Sequence, residues 1–173
     1  MLSLVNDLLD ISKIEAGAVE MNFEAVSLND ALTEAVANMQ PQANRERVII
    51  RSSLTARLPD IVADNRSITQ IALNLLSNAV RFTGPGGQVI VSTSYEASGD
   101  VLLRVRDTGI GMTRQEVEQA LRPYKQITTP GNVRSDGTGL GLPLTKAMAE
   151  ANRASFNIDS SPGRGTMVEI TFP

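Results

Sequence analysis

Residues 64–82 constrain the fold most strongly, because their apolar side chains recur at helical spacing and cover most of a helix circumference. A helix with so wide an apolar surface must pack against other elements on several sides. Asp64 is the expected N-cap, and the helix should run to about Phe82. The sequence therefore predicts a core built around this helix, with these apolar positions: Ile68, Ile71, Ala72, Leu73, Leu75, Ala79, Val80 and Phe82.

A narrow polar stripe remains on the same helix. Asn74 and Asn78 lie one turn apart and Arg81 follows them, with Gln70 and Ser77 alongside. An amide in largely buried surroundings costs a few kcal/mol unless it is paired, so this stripe needs a polar group opposite it. A phosphate group with its metal ion would satisfy that need. An ordinary solvated stripe is the alternative.

Composition narrows the chemistry. The 173 residues include no His and no Cys, which excludes disulfides, thiolate chemistry, imidazole bases and a phosphohistidine formed within this chain. The net charge of −3 gives no electrostatic footprint for nucleic acid. No run of apolar residues approaches a membrane span, so we expect no direct membrane contact and a cytoplasmic location.

Shorter periodic segments surround the long helix and predict an α/β fold. An apolar helical seam in residues 1–16 predicts the end of a helix that packs against a partner, ending near Gly17. Residues 122–137 show no clear periodicity and predict a functional loop. The remaining expected elements are strands at 19–26, 48–54 and 60–63, helices at 28–44 and 114–121, a hairpin at 89–107, a helix from 140 or 141, and a closing hairpin at 155–172.

Two glycine clusters follow the long helix. In DTGIGM, Asp107 ends an apolar strand and Gly109 and Gly111 follow, so backbone can approach a flat ligand while the carboxylate accepts a hydrogen bond from an exocyclic amine. A plain turn is the alternative. In DGTGLGL, glycines precede a helix whose first N–H groups form an anion site. No strand precedes this second cluster, which disfavours a dinucleotide-binding fingerprint.

The three segments in order, QIALNLLSNAVRFT, DTGIGM and GTGLGL, resemble the N, G1 and G2 boxes of the ATP-binding domain of sensor histidine kinases. The wider superfamily also includes gyrase, the Hsp90 chaperones and MutL. The resemblance implies a Bergerat-type fold, a two-layer sandwich of a mixed β-sheet with helices on one face, over residues 18–173. Residues 1–17 resemble the C-terminal end of the dimerisation and phosphotransfer helix.

The resemblance also implies roles for individual residues, with ATP and Mg²⁺ as cofactors. Asn78 would bind the metal, Asn74 would line the same site and Arg81 would face phosphate. Asp107 would recognise the adenine amine in a pocket shaped by Gly109 and Gly111, with the Thr166 hydroxyl near the base. The lid over residues 122–136 includes Tyr124 among the nucleotide-binding positions, and Lys125, Arg134 or Ser135 would approach the phosphates when the lid closes. The phosphate-side segment would be Gly137, Thr138, Gly139, Leu140 and Gly141.

Asn74 bears on the type of reaction. ATP-hydrolysing relatives carry Glu at this position, and a carboxylate can take a proton from water whereas an amide cannot. The resemblance therefore implies a kinase that positions Mg-ATP for transfer to an acceptor outside this chain, for relay to a response regulator. The parent protein would be a homodimer through its N-terminal helix and could be membrane-associated.

Two departures from the family pattern leave an alternative open. Residues 121–126 read LRPYKQ in the lid, and residues 151–154 read ANRA where many members have His-Gly-Gly. These features are similar to the alphaproteobacterial cell-cycle kinases of the PleC and DivJ type and to the divergent member DivL, which carries Tyr in place of the phosphoacceptor His. The alternative is a pseudokinase that works by binding a response regulator or partner kinase. An ATP-driven clamp of the gyrase kind is disfavoured by Asn74 and the short chain.

Overall fold

The computed structural model describes Leu9, residues 21–122 and residues 141–173. The helix expected over residues 1–16 lies outside the described residues except for Leu9, which is helical. The elements are β1 (Phe23–Val26), α1 (Leu28–Glu46), β2 (Ile49–Ser53), β3 (Ile61–Asp64), α2 (Asn65–Phe82), β4 (Gln88–Tyr95), β5 (Val101–Asp107), α3 (Arg114–Ala120), α4 (Gly141–Ala151), β6 (Ser155–Ser160) and β7 (Thr166–Phe172).

The five-stranded sheet has the order β2-β4-β5-β7-β6, and β1 pairs with β3 in a separate two-stranded sheet. Strands β2 and β4 are parallel and the other neighbours in the large sheet are antiparallel. The prediction of a mixed sheet is confirmed. The first strand begins at Phe23, later than the alternation of residues 19–26 suggested, and among the described strands it pairs with β3 alone.

Helices α1, α2 and α4 cover one face of the large sheet, as predicted. The main core is formed by α1 side chains such as Leu32, by α2 side chains such as Ile71, by Met148 of α4, and by strand residues such as Val89 and Ile170. A smaller cluster of Met112, Ala120 and Leu142 packs beside it against the partly buried side chains of β6. None of the helices in the described part of the chain is long and apolar enough to cross a membrane.

The start of α2 is fixed by its cap. The Asp64 side chain accepts the N–H of Ser67 at 3.0 Å and that of Asn22 at 3.0 Å, so the expected N-cap is confirmed. Burial of Asp64 by itself raises the pKa of the carboxyl, but the hydrogen bonds from Asn22, Ser67 and Arg66 outweigh it and hold that pKa below its ordinary value.

The residues that replace His-Gly-Gly tie the end of α4 to the start of α2. Asn152 is 1% exposed; its Nδ2 donates to the Met148 carbonyl at 2.7 Å, and its Oδ1 accepts the Asp64 N–H at 2.7 Å. Arg153 adopts a φ of 63°, and its guanidinium lies 4.9 Å from the centre of the Phe23 ring. This departure from the family pattern is therefore built into the packing of the two helices.

Candidate functional site

One rung of the large sheet brings three polar side chains together. Asp107 on β5 pairs with Thr166 on β7, which pairs with Ser160 on β6, and Val89 on β4 lies opposite Asp107 on the other side. Residues directly opposite one another in antiparallel strands project to the same face. Val89 belongs to the main core, so the three polar side chains lie on the helix-covered face, at the end of the sheet where β5 terminates.

Asp107 is a buried carboxylate with one of its oxygens occupied by the protein. The residue is 6% exposed, and its Oδ1 accepts the N–H of Gly109 at 2.9 Å and that of Thr166 at 3.2 Å. Burial raises the pKa of Asp107, and these two hydrogen bonds oppose that effect without cancelling it. Both bonds end on Oδ1. No described group donates to Oδ2, so this oxygen can accept a hydrogen bond from a ligand.

The backbone around Asp107 is packed so closely that three neighbouring positions have no room for a side chain, and each of them is a glycine. A Cβ at Gly109 would overlap the Phe82 carbonyl, one at Gly111 the Ser161 carbonyl, and one at Gly165 the carbonyl of Asp107 itself. Gly111 and Gly165 also adopt φ values of 70° and 77°, which favour glycine. These contacts show that backbone approaches Gly109 and Gly111 closely, and the ligand role of the DTGIGM segment stays a prediction. Gly165 was not among the predicted site residues, although its position directly before Thr166 was a usable signal.

The same loop contacts the end of α2. The Ile110 N–H donates to the Phe82 carbonyl at 3.4 Å, and the Ile110 carbonyl accepts the N–H of Gly163 at 2.7 Å. Asn78 lies one helical turn before Phe82. The structure therefore joins two of the predicted segments, the loop after Asp107 and the helix with the polar stripe, in one site.

The polar stripe of α2 divides into a paired and an unpaired amide. The side chains of Asn74, Asn78 and Arg81 are all half-buried. The Oδ1 of Asn74 accepts a hydrogen bond from Gln70 Nε2 at 2.7 Å. The Asn78 amide makes no side-chain hydrogen bond within residues 21–122 and 141–173, so its oxygen and nitrogen are available to a ligand. The alternative of an ordinary solvated stripe accounts for Gln70 and Asn74, whose side chains bond each other, better than for Asn78.

The donor set limits the kind of metal that could bind here. Within the described ranges, no group of three or more His, Cys, Asp or Glu side chains is placed to hold a metal ion. A metal at Asn78 would thus take most ligands from water and from a bound phosphate. Mg²⁺ fits this donor set, because it prefers oxygen ligands and usually keeps several waters alongside substrate phosphates.

Ser160 belongs to the same polar cluster, and no sequence pattern predicted it. Its Oγ accepts the Met112 N–H at 2.8 Å, donates to the Gly165 carbonyl at 3.0 Å, and lies 2.8 Å from Thr166 Oγ1. The two hydroxyls link the loop after Asp107 to the closing hairpin. The Ser and Thr flank the SPGRG turn, but only the pairing of β6 with β7 makes them neighbours.

Several predicted site residues lie outside the described residues, and their roles stay predictions. Gly141 is described: it begins α4, and its carbonyl accepts a hydrogen bond from Thr145 Oγ1 at 2.7 Å. A Cβ at Gly141 would meet no described atom within 4 Å, so its placement alone does not show why glycine stands there. The residues outside are Tyr124, Lys125, Arg134, Gly137, Thr138, Gly139 and Leu140.

Comparison with known proteins points to one family. Residues 63–173 match the model of the histidine kinase-, DNA gyrase B- and HSP90-like ATPases. The chain is 74% identical over 181 residues to the cell-division control histidine kinase PdhS of Brucella anthropi, and 72% identical to PdhS of Brucella canis. Those alignments cover 100% of this chain but only 17% and 18% of the relatives' length.

Solved structures show the same fold. Full-length ShkA in complex with AMPPNP matches 99% of this chain and 35% of its own, with a TM-score of 0.85 and 30% identity. The catalytic domain of the histidine kinase ThkA matches 88% of this chain and 96% of its own, with a TM-score of 0.76 and 19% identity. The α/β fold is therefore that of histidine kinase catalytic domains.

Proposed function

Because this chain belongs to the family of histidine kinase-, DNA gyrase B- and HSP90-like ATPases, we propose that residues 18–173 are the ATP-binding catalytic domain of a two-component histidine kinase. One observation carries the proposal. A buried carboxylate with a spare oxygen, Asp107, lies in a loop that abuts the end of the helix bearing the unpaired amide of Asn78. Such a site offers an acceptor for a base at one end and a metal ligand at the other.

Asp107 recognises the base in this proposal. Its Oδ2 accepts a hydrogen bond from the adenine amine, while Gly109 and Gly111 let the backbone lie close to the ring. The bonds from Gly109 and Thr166 to Oδ1 hold the carboxylate in one orientation before the ligand arrives. A nucleotide that enters therefore meets an acceptor that is already fixed, which lowers the ordering cost of binding.

The α2 stripe binds the phosphates. Mg²⁺ would be held by the Asn78 amide oxygen and would offset phosphate charge there, and Arg81 would face the phosphates. We further propose that Gly137, Thr138, Gly139, Leu140 and Gly141 supply backbone N–H groups to the phosphates at the start of α4. Tyr124, Lys125 and Arg134 would approach the nucleotide from the lid.

Asn74 directs the site toward transfer rather than hydrolysis. An amide cannot remove a proton from water, and the Oδ1 of Asn74 is already occupied by Gln70. The site would hold ATP in line for attack by an acceptor residue from outside this chain, so that catalysis rests on positioning and charge stabilisation. We expect slow hydrolysis of ATP by this domain alone.

The parent protein would supply the acceptor and the partners. The chain spans 17–18% of the length of the PdhS relatives, so we propose the partners of the full-length protein from the family alone. Residues 1–17 would be the end of the dimerisation and phosphotransfer helix, through which the parent forms a homodimer in the cytoplasm. A response regulator or a partner kinase would receive the signal. No observation favours the pseudokinase alternative over this one, since the curated relatives named above are histidine kinases.

The test is calorimetric titration with ADP and a non-hydrolysable ATP analogue, with and without Mg²⁺, on the wild type and on Asn78→Ala. We expect Mg²⁺ to tighten binding about tenfold, or about 1.4 kcal/mol, in the wild type. Asn78→Ala should lose that gain because it lacks the ligand oxygen. Asn65→Ala is the matched control, since it removes an exposed amide at the start of the same helix. Equal magnesium dependence in Asn78→Ala would remove Asn78 from the metal role.

A further inference from the structure

The hydroxyl of Ser160 is the centre of a small network beside Asp107. It lies at the end of β6 on the same rung as Thr166 and Asp107, and it is half-buried. Three polar atoms lie within hydrogen-bond distance of it: the Met112 nitrogen at 2.8 Å, the Gly165 carbonyl oxygen at 3.0 Å and Thr166 Oγ1 at 2.8 Å. The network joins the loop after Asp107 to the hairpin that carries Thr166.

The donor count of a serine fixes the direction of each bond. A hydroxyl has one proton to donate and two lone pairs to accept with. The Met112 N–H can only donate, so it uses one lone pair of Ser160. Gly165 is buried, and its carbonyl has one other described donor, the Ser161 N–H at a long 3.5 Å. The Ser160 hydroxyl therefore donates its proton to the Gly165 carbonyl.

These two bonds fix the direction of the hydrogen bond between Ser160 and Thr166. Ser160 has no second proton, so Thr166 Oγ1 must donate its own proton to Ser160. The Thr166 oxygen keeps its lone pairs and has no proton for a ligand. Thr166 is paired with Asp107 across the strands and donates its backbone N–H to the Asp107 carboxylate, which is also an acceptor. The base end of the site thus presents two acceptors and no hydroxyl donor from these two side chains.

We propose that Ser160 is a specificity-determining positioning residue: by taking the Thr166 proton, it makes the base pocket select a ring with an exocyclic amine over one with a carbonyl. An amino group offers two N–H donors to two acceptors, whereas a carbonyl oxygen faces lone pairs and a negative charge. The inference rests on the proposed nucleotide-binding function and extends it to a residue that does not itself touch the base.

The experiment compares ADP with inosine diphosphate, which has a carbonyl in place of the adenine amine and the accompanying proton on the ring. Calorimetric titrations in Mg²⁺ give the ratio of the two affinities for the wild type, Ser160→Ala, Thr166→Val and the double variant. Ser161→Ala is the matched control: this neighbouring serine is exposed, and its side chain makes no hydrogen bond within the described ranges.

In Ser160→Ala the Thr166 hydroxyl is released to donate to a carbonyl. We expect the preference for ADP over inosine diphosphate to fall about fivefold or more, with part of the change being tighter binding of inosine diphosphate; a fivefold change is about 1 kcal/mol. Ser161→Ala should keep the wild-type ratio. The Ser160→Ala change should have no further effect in a Thr166→Val background, because the two residues act through one proton.

Different results separate the two claims. If Ser160→Ala weakens ADP and inosine diphosphate by the same factor, Ser160 has only a structural role and the inference is overturned while the proposed function stands. If the folded wild type binds neither nucleotide at millimolar concentration, the proposed function fails and the inference fails with it. The affinity ratio is measured within each variant, so partial unfolding of a variant does not change it.

Discussion

The two ends of the site are built in different ways. The base end consists of Asp107, Gly109, Gly111, Ser160, Gly165 and Thr166, which are joined by strand pairing and by hydrogen bonds within the described chain. The phosphate end, as described, is the stripe of Asn74, Asn78 and Arg81 on one face of α2. At the base end the side chains of Asp107, Ser160 and Thr166 each have a hydrogen-bond partner, and Asp107 Oδ2 is left without one among the described residues. At the phosphate end, the Asn78 amide has none among the described residues.

This difference predicts which end of the site affects folding and which affects ligand binding alone. The base end lies in the sheet, where backbone fills the space around Gly109, Gly111 and Gly165, so a side chain added at one of these glycines should destabilise the fold. The phosphate end is a half-buried helix surface, so a change such as Asn78→Ala should leave the fold intact and remove only ligand binding.

Gly165→Ala should break the base end. Its Cβ would overlap the Asp107 carbonyl at a φ of 77°, and we expect a loss of about 3 kcal/mol or more in the free energy of unfolding. Gly163→Ala is a close control, because Gly163 has the same φ of 77° but open space around it, and it should cost only about 1 kcal/mol. Urea denaturation measures both. Equal losses in the two variants would show that the packing around Asp107 is not tight.

Asp107→Asn should change base choice without unfolding the protein. We expect ADP affinity to fall roughly 30-fold, or about 2 kcal/mol, because a charged acceptor for the adenine amine is lost. Inosine diphosphate affinity should not fall, since the new amide can donate to its carbonyl. Asp159→Asn, a change at an exposed carboxylate on the other face of β6, is the control. An equal loss for both nucleotides would argue against base recognition by Asp107.

The pH dependence of stability gives the smallest and most specific effect. Burial raises the pKa of Asp107. Between the ordinary carboxyl pKa and this raised value, the folded state holds a proton that the unfolded state has released. The wild type should therefore lose stability relative to Asp107→Asn as the pH rises through that interval. Urea denaturation of both proteins across the acidic range measures the difference, and a difference that grows in favour of the wild type would contradict the account.

The sequence predicted the elements whose signals are local. The apolar spacing of α2 and its Asp64 cap are each readable within one segment, and the structure bears them out. The glycines after Asp107 are readable in the same way and lie where a side chain would overlap backbone, while their role in binding a ligand stays a prediction. The stripe with Asn78 was found for the same reason, because residues one turn apart on a helix are neighbours whatever the tertiary structure.

What the sequence did not reveal depends on residues far apart in the chain. The Ser160 hydroxyl meets the Met112 N–H across 48 positions, and Asn152 meets the N–H of Asp64 across 88. Neither pairing leaves a spacing pattern, since each depends on strand register or on helix packing. The change from His-Gly-Gly looked like a loss of family character, yet Asn152 uses both ends of its amide to join two helices.

The most direct test of the account is the effect of Mg²⁺ on the binding of ADP and of adenosine to the wild type, measured by calorimetry. Adenosine reaches only the base end, whereas ADP also reaches the Asn78 stripe. The account predicts that Mg²⁺ tightens ADP binding about tenfold and leaves adenosine binding unchanged. ADP binding that is indifferent to Mg²⁺, or an equal effect on both ligands, would contradict the assignment of the two ends.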